Sequence, residues 1–300
     1  MLKIAYNSYY VQPLPKGHRF PMEKYDLLPR QLIYEGTVNE EAFFSPSEIK
    51  KEYVLNVHDA DYFSRLTNLE LSPREQRVSG FPHNERLIKR EQIIAEGTRK
   101  GAEFALNYGV AMNIAGGTHH AYTNRGEGFC LLNDIAIAAQ WLLDNGKAKK
   151  ILVIDLDVHQ GNGTAEIFSN NPNVFTFSMH GKNNYPLRKE KSDLDVALYD
   201  GTNDKYYLYE LEKNLDYIFS NFQVDFLFYQ SGVDVIESDK LGRLSLSIDG
   251  CKKRDEIVFD IAKKLKLPIV VSMGGGYSPE IKHIIDAHAN TYRTAQYKFF

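Results

Sequence analysis

The chain has few of the features that would place it outside the ordinary globular proteins. It holds two cysteines, Cys130 and Cys251, in 300 residues, too few for a disulfide framework and in keeping with a reducing compartment. No stretch approaches the roughly 18 apolar residues of a membrane span, and the opening M-L-K-I-A-Y-N-S-Y-Y has no apolar core of a secretory signal. The expectation is a soluble, cytoplasmic protein with no membrane partner. Internal repeats and Pro/Gly/Ser-rich linkers are absent, so residues 1–300 read as one domain. Charge of one sign is not in excess. The 36 Lys and Arg against 39 Asp and Glu leave a net charge of −3, which argues against a dedicated nucleic-acid binder. Basic clusters such as Lys147, Lys149 and Lys150 read as solvated surface. Composition says nothing of oligomeric state, but 43% hydrophobic residues can fill a sizeable core.

Up to Asn84 the pattern is irregular: a strand near Lys3–Tyr6, a helix over Met22–Tyr34 and a helix over Ser45–Asn56. In the last of these, Ser45 is placed to cap, Pro46 to enter the first turn and Glu48 to complete a capping box. Ser72–Asn84, polar and interrupted by prolines and a glycine, reads as a long surface loop. From Glu85 helices and apolar strands alternate. Helices are expected over Glu85–Asn107, Asn133–Asn145, Thr164–Asn170, Asp204–Asn221, Cys251–Leu265 and after Ser278. Strands are expected over Val110–Ala115, Lys150–Asp155, Val174–Ser178, Asp225–Gln230 and Pro268–Met273. This rhythm predicts an α/β fold with a mostly parallel sheet covered by helices on both faces.

The unusual polar residues all follow strands: Gly116–His120, Asp157–His159, His180–Pro186, Gly232–Asp234 and Gly274–Tyr277. Ligands of open α/β sheets bind outside the carboxyl ends of the strands, so five loops converge on one candidate site. Of these, I-L-V-I-D-L-D-V-H-Q-G-N-G-T (Ile151–Thr164) is the most informative. Continued as a strand, its alternation would put Asp155, Asp157 and His159 on one face. Asp-x-Asp at a strand end also occurs without a metal.

A ligand set of Asp157, His159 and Asp234 would leave coordination positions open, as a catalytic ion requires. Zn²⁺ suits these donors, and Fe²⁺ or Co²⁺ could take them too. Asp234 can also be read as a helix cap or turn residue. His119 and His120, in A-G-G-T-H-H, suit proton transfer near neutral pH, or one is core and the other surface. Asp155 is placed to accept a hydrogen bond from one of these imidazoles. Gly274–Tyr277 lacks the lysine of a P-loop and the spacing of a dinucleotide fingerprint. It reads instead as a tether presenting the Tyr277 hydroxyl to a developing oxyanion.

Taken together, A-G-G-T-H-H, R-G-E-G-F-C, I-D-L-D-V-H-Q-G-N-G-T, S-G-V-D-V-I-E-S-D-K-L-G-R-L-S-L-S and G-G-G-Y resemble, in order, the zinc-dependent histone deacetylases. K-R-D-E-I-V-F at Lys253–Phe259 resembles their class IV branch. The resemblance implies an arginase/deacetylase-like fold and removal of acetyl or longer groups from the Nε of lysine in a protein or peptide substrate. It implies zinc on Asp157, His159 and Asp234, with His119 and His120 as the paired histidines and Tyr277 as the transition-state tyrosine. Phe129 and Tyr185 resemble tunnel walls, with Gly128, Gly275 and Leu241 beside them. A structural K⁺ site is implied at Asp155, Ser178 and the carbonyls of Asp157, His159 and Met179.

Where several relatives carry an aspartate, this chain has Asn162. His120 would therefore face a neutral partner and act as the base, while His119 beside Asp155 stays cationic. The acidic rim residue by which some relatives grip substrate has no match. Cys130 reads as a small buried residue and Asn133 as a helix cap. Rival functions are deacylation of small acylated amines such as acetylpolyamines and non-catalytic acyl-lysine binding. A binuclear manganese ureohydrolase would need an aspartate soon after His159, where Gln160, Gly161 and Asn162 stand.

Overall fold

Short apolar runs such as Ile151–Asp155 and Phe226–Gln230 form strands with every residue buried, as in a parallel sheet covered on both faces. A computed structural model describes residues 1–300. In chain order its elements are β1 (Lys3–Ala5), α1 (Lys24–Tyr34), β2 (Phe43–Phe44), α2 (Lys51–Leu55), α3 (Ala60–Thr67), α4 (Pro73–Ser79), α5 (Glu85–Tyr108), β3 (Val110–Asn113) and α6 (Asp134–Asp144). There follow β4 (Ile151–Asp155), α7 (Asn162–Phe168), β5 (Val174–Gly181), β6 (Leu194–Leu198), α8 (Asp204–Asn221), β7 (Phe226–Gln230), α9 (Ile248–Leu265), β8 (Ile269–Ser272) and α10 (Ile281–Phe299).

All eight strands lie parallel in one sheet ordered β2-β1-β3-β8-β7-β4-β5-β6. A single hydrophobic core runs through the molecule, and none of its helices is long and apolar enough to cross a membrane. The α5 helix begins where Asn84 accepts a hydrogen bond from Leu87 N and stops at Gly109, whose φ of 84° a residue with a Cβ rarely adopts. The last turn of α10 packs on α9, where the Phe299 ring meets Phe259 with centroids 6.0 Å apart.

Two expectations for the N-terminal region fail. Ser45 does not cap a helix. Its hydroxyl and the Pro46 carbonyl accept from Asn7 Nδ2 at 3.0 and 3.1 Å, the preceding Phe43–Phe44 pairs with β1, and the helix starts only at Lys51. Tertiary hydrogen bonds outcompete the local capping pattern there. Conversely, the expected loop Ser72–Asn84 contains α4, which carries the reciprocal capping box. Ser72 Oγ accepts from Glu75 N at 3.3 Å, and Glu75 accepts from Ser72 N at 2.8 Å. Pro73 occupies the first turn and Gly80, at φ 81°, ends the helix. The sequence reading also omitted α3 and the half-exposed edge strand β6.

The alternation expected through His159 fails as well, because β4 ends at Asp155. Beyond it the backbone is bent by its own aspartates. Asp157 N donates to Asp155 Oδ1 at 3.2 Å, and His159 N donates to Asp157 Oδ1 at 3.0 Å, the local turn chemistry of aspartate. These turns, rather than strand pleating, aim the three side chains.

Candidate active site

Four neighbouring strands, β3, β8, β7 and β4, deliver the loops that build the site. Asp157 and His159 follow β4, and Asp234 follows β7, its hydrogen-bonded neighbour. One ligand atom from each of the three lies within 4.8 Å of the others, and their exposures are 1%, 8% and 0%. His159 Nδ1 sits between Asp157 Oδ1 at 3.0 Å and Asp234 Oδ2 at 3.1 Å. The other oxygens are anchored by backbone N–H groups: Asp157 Oδ2 by Gly275 at 2.8 Å and Asp234 Oδ1 by Val158 at 2.9 Å. A Cβ at residue 275 would collide with Asp234 Oδ2, which is why glycine stands there.

The donor set fits a divalent cation electrostatically. Burial pushes the Asp234 carboxyl up to about 7, with Asp157 adding repulsion. Burial acts the same way on Asp157, but the charges of His119 and His159 and its hydrogen bonds hold it well below the usual carboxylate range. For His159, burial opposes the charge and the two carboxylates override it, raising the imidazole to about 10. Two carboxylates this close and this dry need a compensating charge.

The β3 loop places His119 and His120 with ring centroids 4.1 Å apart. Their Nδ1 atoms point to different partners, Asp155 Oδ2 at 2.7 Å for His119 and Asn162 Oδ1 at 2.6 Å for His120. Burial disfavours charge on both rings. At His119 the charges of Asp155 and Asp157 outweigh it and raise the pKa. At His120, His119 and His159 reinforce burial and hold the pKa well below its ordinary value. The amide orientation of Asn162 is fixed from behind, because its Nδ2 donates to Glu127 Oε1 at 2.6 Å and Tyr122 OH at 3.0 Å.

Tyr277 follows β8. Its backbone N–H donates to Asp239 Oδ2 at 2.6 Å, and its ring lies 6.3 Å from that of His159. Above Asp157, His159 and Asp234 opens a cavity of about 280 Å³ lined by Phe129, Tyr185, Gly128, Leu241, both His120 and His159, and Tyr277. A smaller recess of about 40 Å³, reaching Gly275, lies behind. Phe129 has φ 69° and follows Gly128 at φ 56°, a rare conformation for an aromatic residue. It is held by α4, whose Val78 and Ser79 carbonyls accept from Gly128 N and Phe129 N at 3.1 and 2.8 Å. The Phe129 side of the cavity is thus braced by α4, in a segment whose sequence reads as a loop.

Asp155 and Ser178 are register partners on β4 and β5. The Ser178 hydroxyl also meets His180 Nδ1 at 2.9 Å, while the buried carbonyls of Asp157 and His159 accept no hydrogen bond from the protein.

With this geometry in place, the comparison with known proteins is decisive. Residues 18–292 match the histone deacetylase domain. The chain belongs to the histone deacetylase family. Over 293 residues it is 39% identical to an uncharacterized protein of Picosynechococcus sp., covering 98% of each chain. It is 29% identical to histone deacetylase 2 of Arabidopsis thaliana, covering 95% of this chain and 76% of that one. The fold is similar to that of a solved histone deacetylase homolog from Aquifex aeolicus, with a TM-score of 0.84, 25% identity and coverage of 98% and 84%. An HDAC homolog complexed with SAHA is similar at a TM-score of 0.84 and 26% identity, with the same coverage. Family membership makes this chain a hydrolase of the deacetylase type, and the arginase/deacetylase-like architecture expected from its motifs is the one it adopts.

Several residues that hold this deacetylase site together escaped the sequence reading. Asp134, fully buried, accepts from Gly117 N and Thr118 N at 3.1 and 2.8 Å and so fixes the histidine loop. Its neighbour Asn133 does cap α6, as expected. Gln230 Nε2 donates to Gly117 O at 2.8 Å. Arg254, inside the K-R-D-E-I-V-F motif, donates to the carbonyls of Leu156 at 3.2 Å, Ser231 at 3.2 Å and Gly232 at 2.6 Å. It thereby clamps the chain after β4 and β7, next to Asp157, His159 and Asp234. Lys24 Nζ donates to Gly274 O at 3.1 Å, and burial lowers its pKa to about 8 against the pull of Asp234 and Asp157. Only Arg254 gave a signal, a charged pair inside an otherwise amphipathic helix.

Proposed function

We propose that this deacetylase is a zinc-dependent lysine deacylase, removing acetyl or longer acyl groups from the Nε of lysine in proteins or peptides. One observation carries the reading: three dry donors stand beside two histidines of opposite proton affinity, beneath an aromatic-walled cavity of lysine-tunnel character. Bound to Asp157, His159 and Asp234, zinc would supply a Lewis acid for the amide carbonyl and acidify a water, and Fe²⁺ or Co²⁺ would suit the same donors. Asp155, Ser178 and the unpartnered carbonyls of Asp157 and His159 support a structural K⁺, with Met179 on the adjoining strand. Assignment to class IV belongs to the same proposal and rests on Lys253–Phe259.

His120 is the base. Its Nδ1–H is committed to Asn162, so the Nε2 lone pair is left for the proton of the attacking water. As the C–O bond forms, the Tyr277 hydroxyl donates to the oxyanion. His120 then returns the proton to the departing lysine nitrogen as the C–N bond breaks, giving a free lysine side chain and a carboxylate. His119, kept cationic by Asp155, contributes field rather than proton transfer. Phe129 and Tyr185 flank the acyl-lysine stem, and Gly128 gives it room: a Cβ there would lie 2.7 Å from the His120 ring.

Turnover of an acyl-lysine peptide series by wild type and Tyr277→Phe tests this. Loss of one oxyanion donor should lower kcat by about 10²–10³-fold. Equal rates, or no turnover of any acyl-lysine by the wild type, would reject the reading.

A further inference from the structure

The mouth of the cavity is basic, although the chain as a whole is slightly acidic. Among its lining residues are Arg19 and Arg243, with Asn183 and Asn184 between aromatic walls, and no aspartate or glutamate. Arg19 is exposed, lies with its guanidinium carbon 4.9 Å from the Phe129 ring centroid and has no carboxylate partner. Arg243 remains 59% exposed beside Asp200, which is 3.5 Å away and itself 41% exposed. Three of the segments forming the rim add further exposed cations: Lys16 before Arg19, Lys182 and Arg188 around Asn183–Leu187, and Lys240 before Leu241.

Several acids of the same region are engaged in the site itself, although Glu190, Glu237 and Asp200 stay exposed. Asp239 accepts from the backbone N–H groups of Leu241, Gly242 and Tyr277 at 2.8, 2.8 and 2.6 Å. Glu190 faces Tyr122 OH at 3.2 Å, Glu127 holds Asn162, and Glu75 pairs with Arg65. The residues that line the mouth itself therefore present guanidinium groups and no carboxylate, with the exposed acids set back from the lining.

Building on the deacylase reading above, we propose that this mouth selects acyl-lysine substrates carrying carboxylates beside the modified residue, with Arg19 and Arg243 as the recognising groups. Guanidinium forks bind carboxylates in a bidentate, oriented way, and a rim of one sign steers oppositely charged ligands toward the cavity in a salt-dependent manner. Polycations, including acetylated polyamines and acyl-lysine peptides rich in Lys and Arg, meet like charge at the entrance and are disfavoured.

The test measures both binding and turnover of three peptides that differ only in the residues flanking the acyl-lysine: acidic, neutral and basic. Binding is read by fluorescence anisotropy on zinc-loaded protein, using peptides with a methyl ketone in place of the acetamide so that no hydrolysis occurs. The acidic peptide should bind about tenfold or more tighter than the basic one, a difference of roughly 1.4 kcal/mol, and the ratio should shrink as salt screens it. The Arg19→Gln/Arg243→Gln double variant should bring the ratio toward one, and Arg19→Glu/Arg243→Glu should invert it. Equal affinities, a preference for the basic peptide, or a ratio untouched by both double variants would overturn the proposal. If the binding preference holds while no acyl peptide is hydrolysed, the mouth stands and the deacylase reading falls.

Discussion

The floor of the site and its mouth are built in opposite ways. At the floor, Asp157, His159 and Asp234 are dry, crowded with carboxylates and pinned by backbone N–H groups at the ends of paired strands. At the mouth, exposed arginines and lysines ride on irregular segments from distant parts of the chain, braced by one short helix. Chemistry that must hold a cation and move a proton needs rigid strand ends, whereas selecting a substrate needs only charge and shape at a surface. A variant at the floor should therefore change kcat or stability, and one at the mouth should change KM.

The largest separation is expected between the two histidines. His120→Ala should cost about 10²–10⁴-fold in kcat, the contribution of a positioned general base, and His119→Ala less. If His119→Ala abolished turnover while His120→Ala retained most of it, the roles would be reversed. Next comes Arg254→Met, which leaves Asp255 buried without its partner at 2.8 Å. Breaking such a pair costs about 3–5 kcal/mol, to be read as a drop in the free energy of unfolding by denaturant. A loss below about 1 kcal/mol would show that the clamp on β4 and β7 is dispensable.

At the mouth, Ser72→Ala removes the cap of α4 and should cost about 1 kcal/mol. Because α4 holds Gly128 and Phe129, KM should rise while metal content stays unchanged. The smallest effect lies far from both regions, where Arg293 Nε donates to Glu35 at 2.8 Å across α1 and α10. Burial would raise the Glu35 carboxyl, but Arg293, Thr37 and Gln31 together lower it to about 2. A depressed carboxylate stabilises the fold fully above its unfolded pKa, about 4.3, and that stabilisation fades as pH falls toward 2. Being partly solvated, it is worth no more than about 1 kcal/mol. Glu35→Gln should flatten the stability–pH curve between those limits, and an unaltered slope would remove the pair from the account.

The same contrast explains what could be read from sequence. Asp157, His159, Asp234, His119, His120 and Tyr277 were legible because each follows a strand whose apolar run is unmistakable, and the structure brings all six together. Asp155, Asp157 and His159 do lie together, but not through the strand alternation the sequence suggests, since side-chain turns after Asp155 do the aiming. Ser45 and Ser72 carry the same local capping signal, and only tertiary bonds from Asn7 decide which is used. Asp134, Lys24 and the basic rim were illegible because their partners lie far away in sequence, at Thr118, at Gly274 and around the mouth. Folding alone makes them neighbours.

The most direct test of the central claim is metal content measured alongside acyl-lysine turnover for wild type and Asp234→Ala. The account predicts a stoichiometric divalent ion and turnover in the wild type, with both lost in Asp234→Ala. Undiminished turnover by Asp234→Ala, or by wild type stripped of metal, would contradict it.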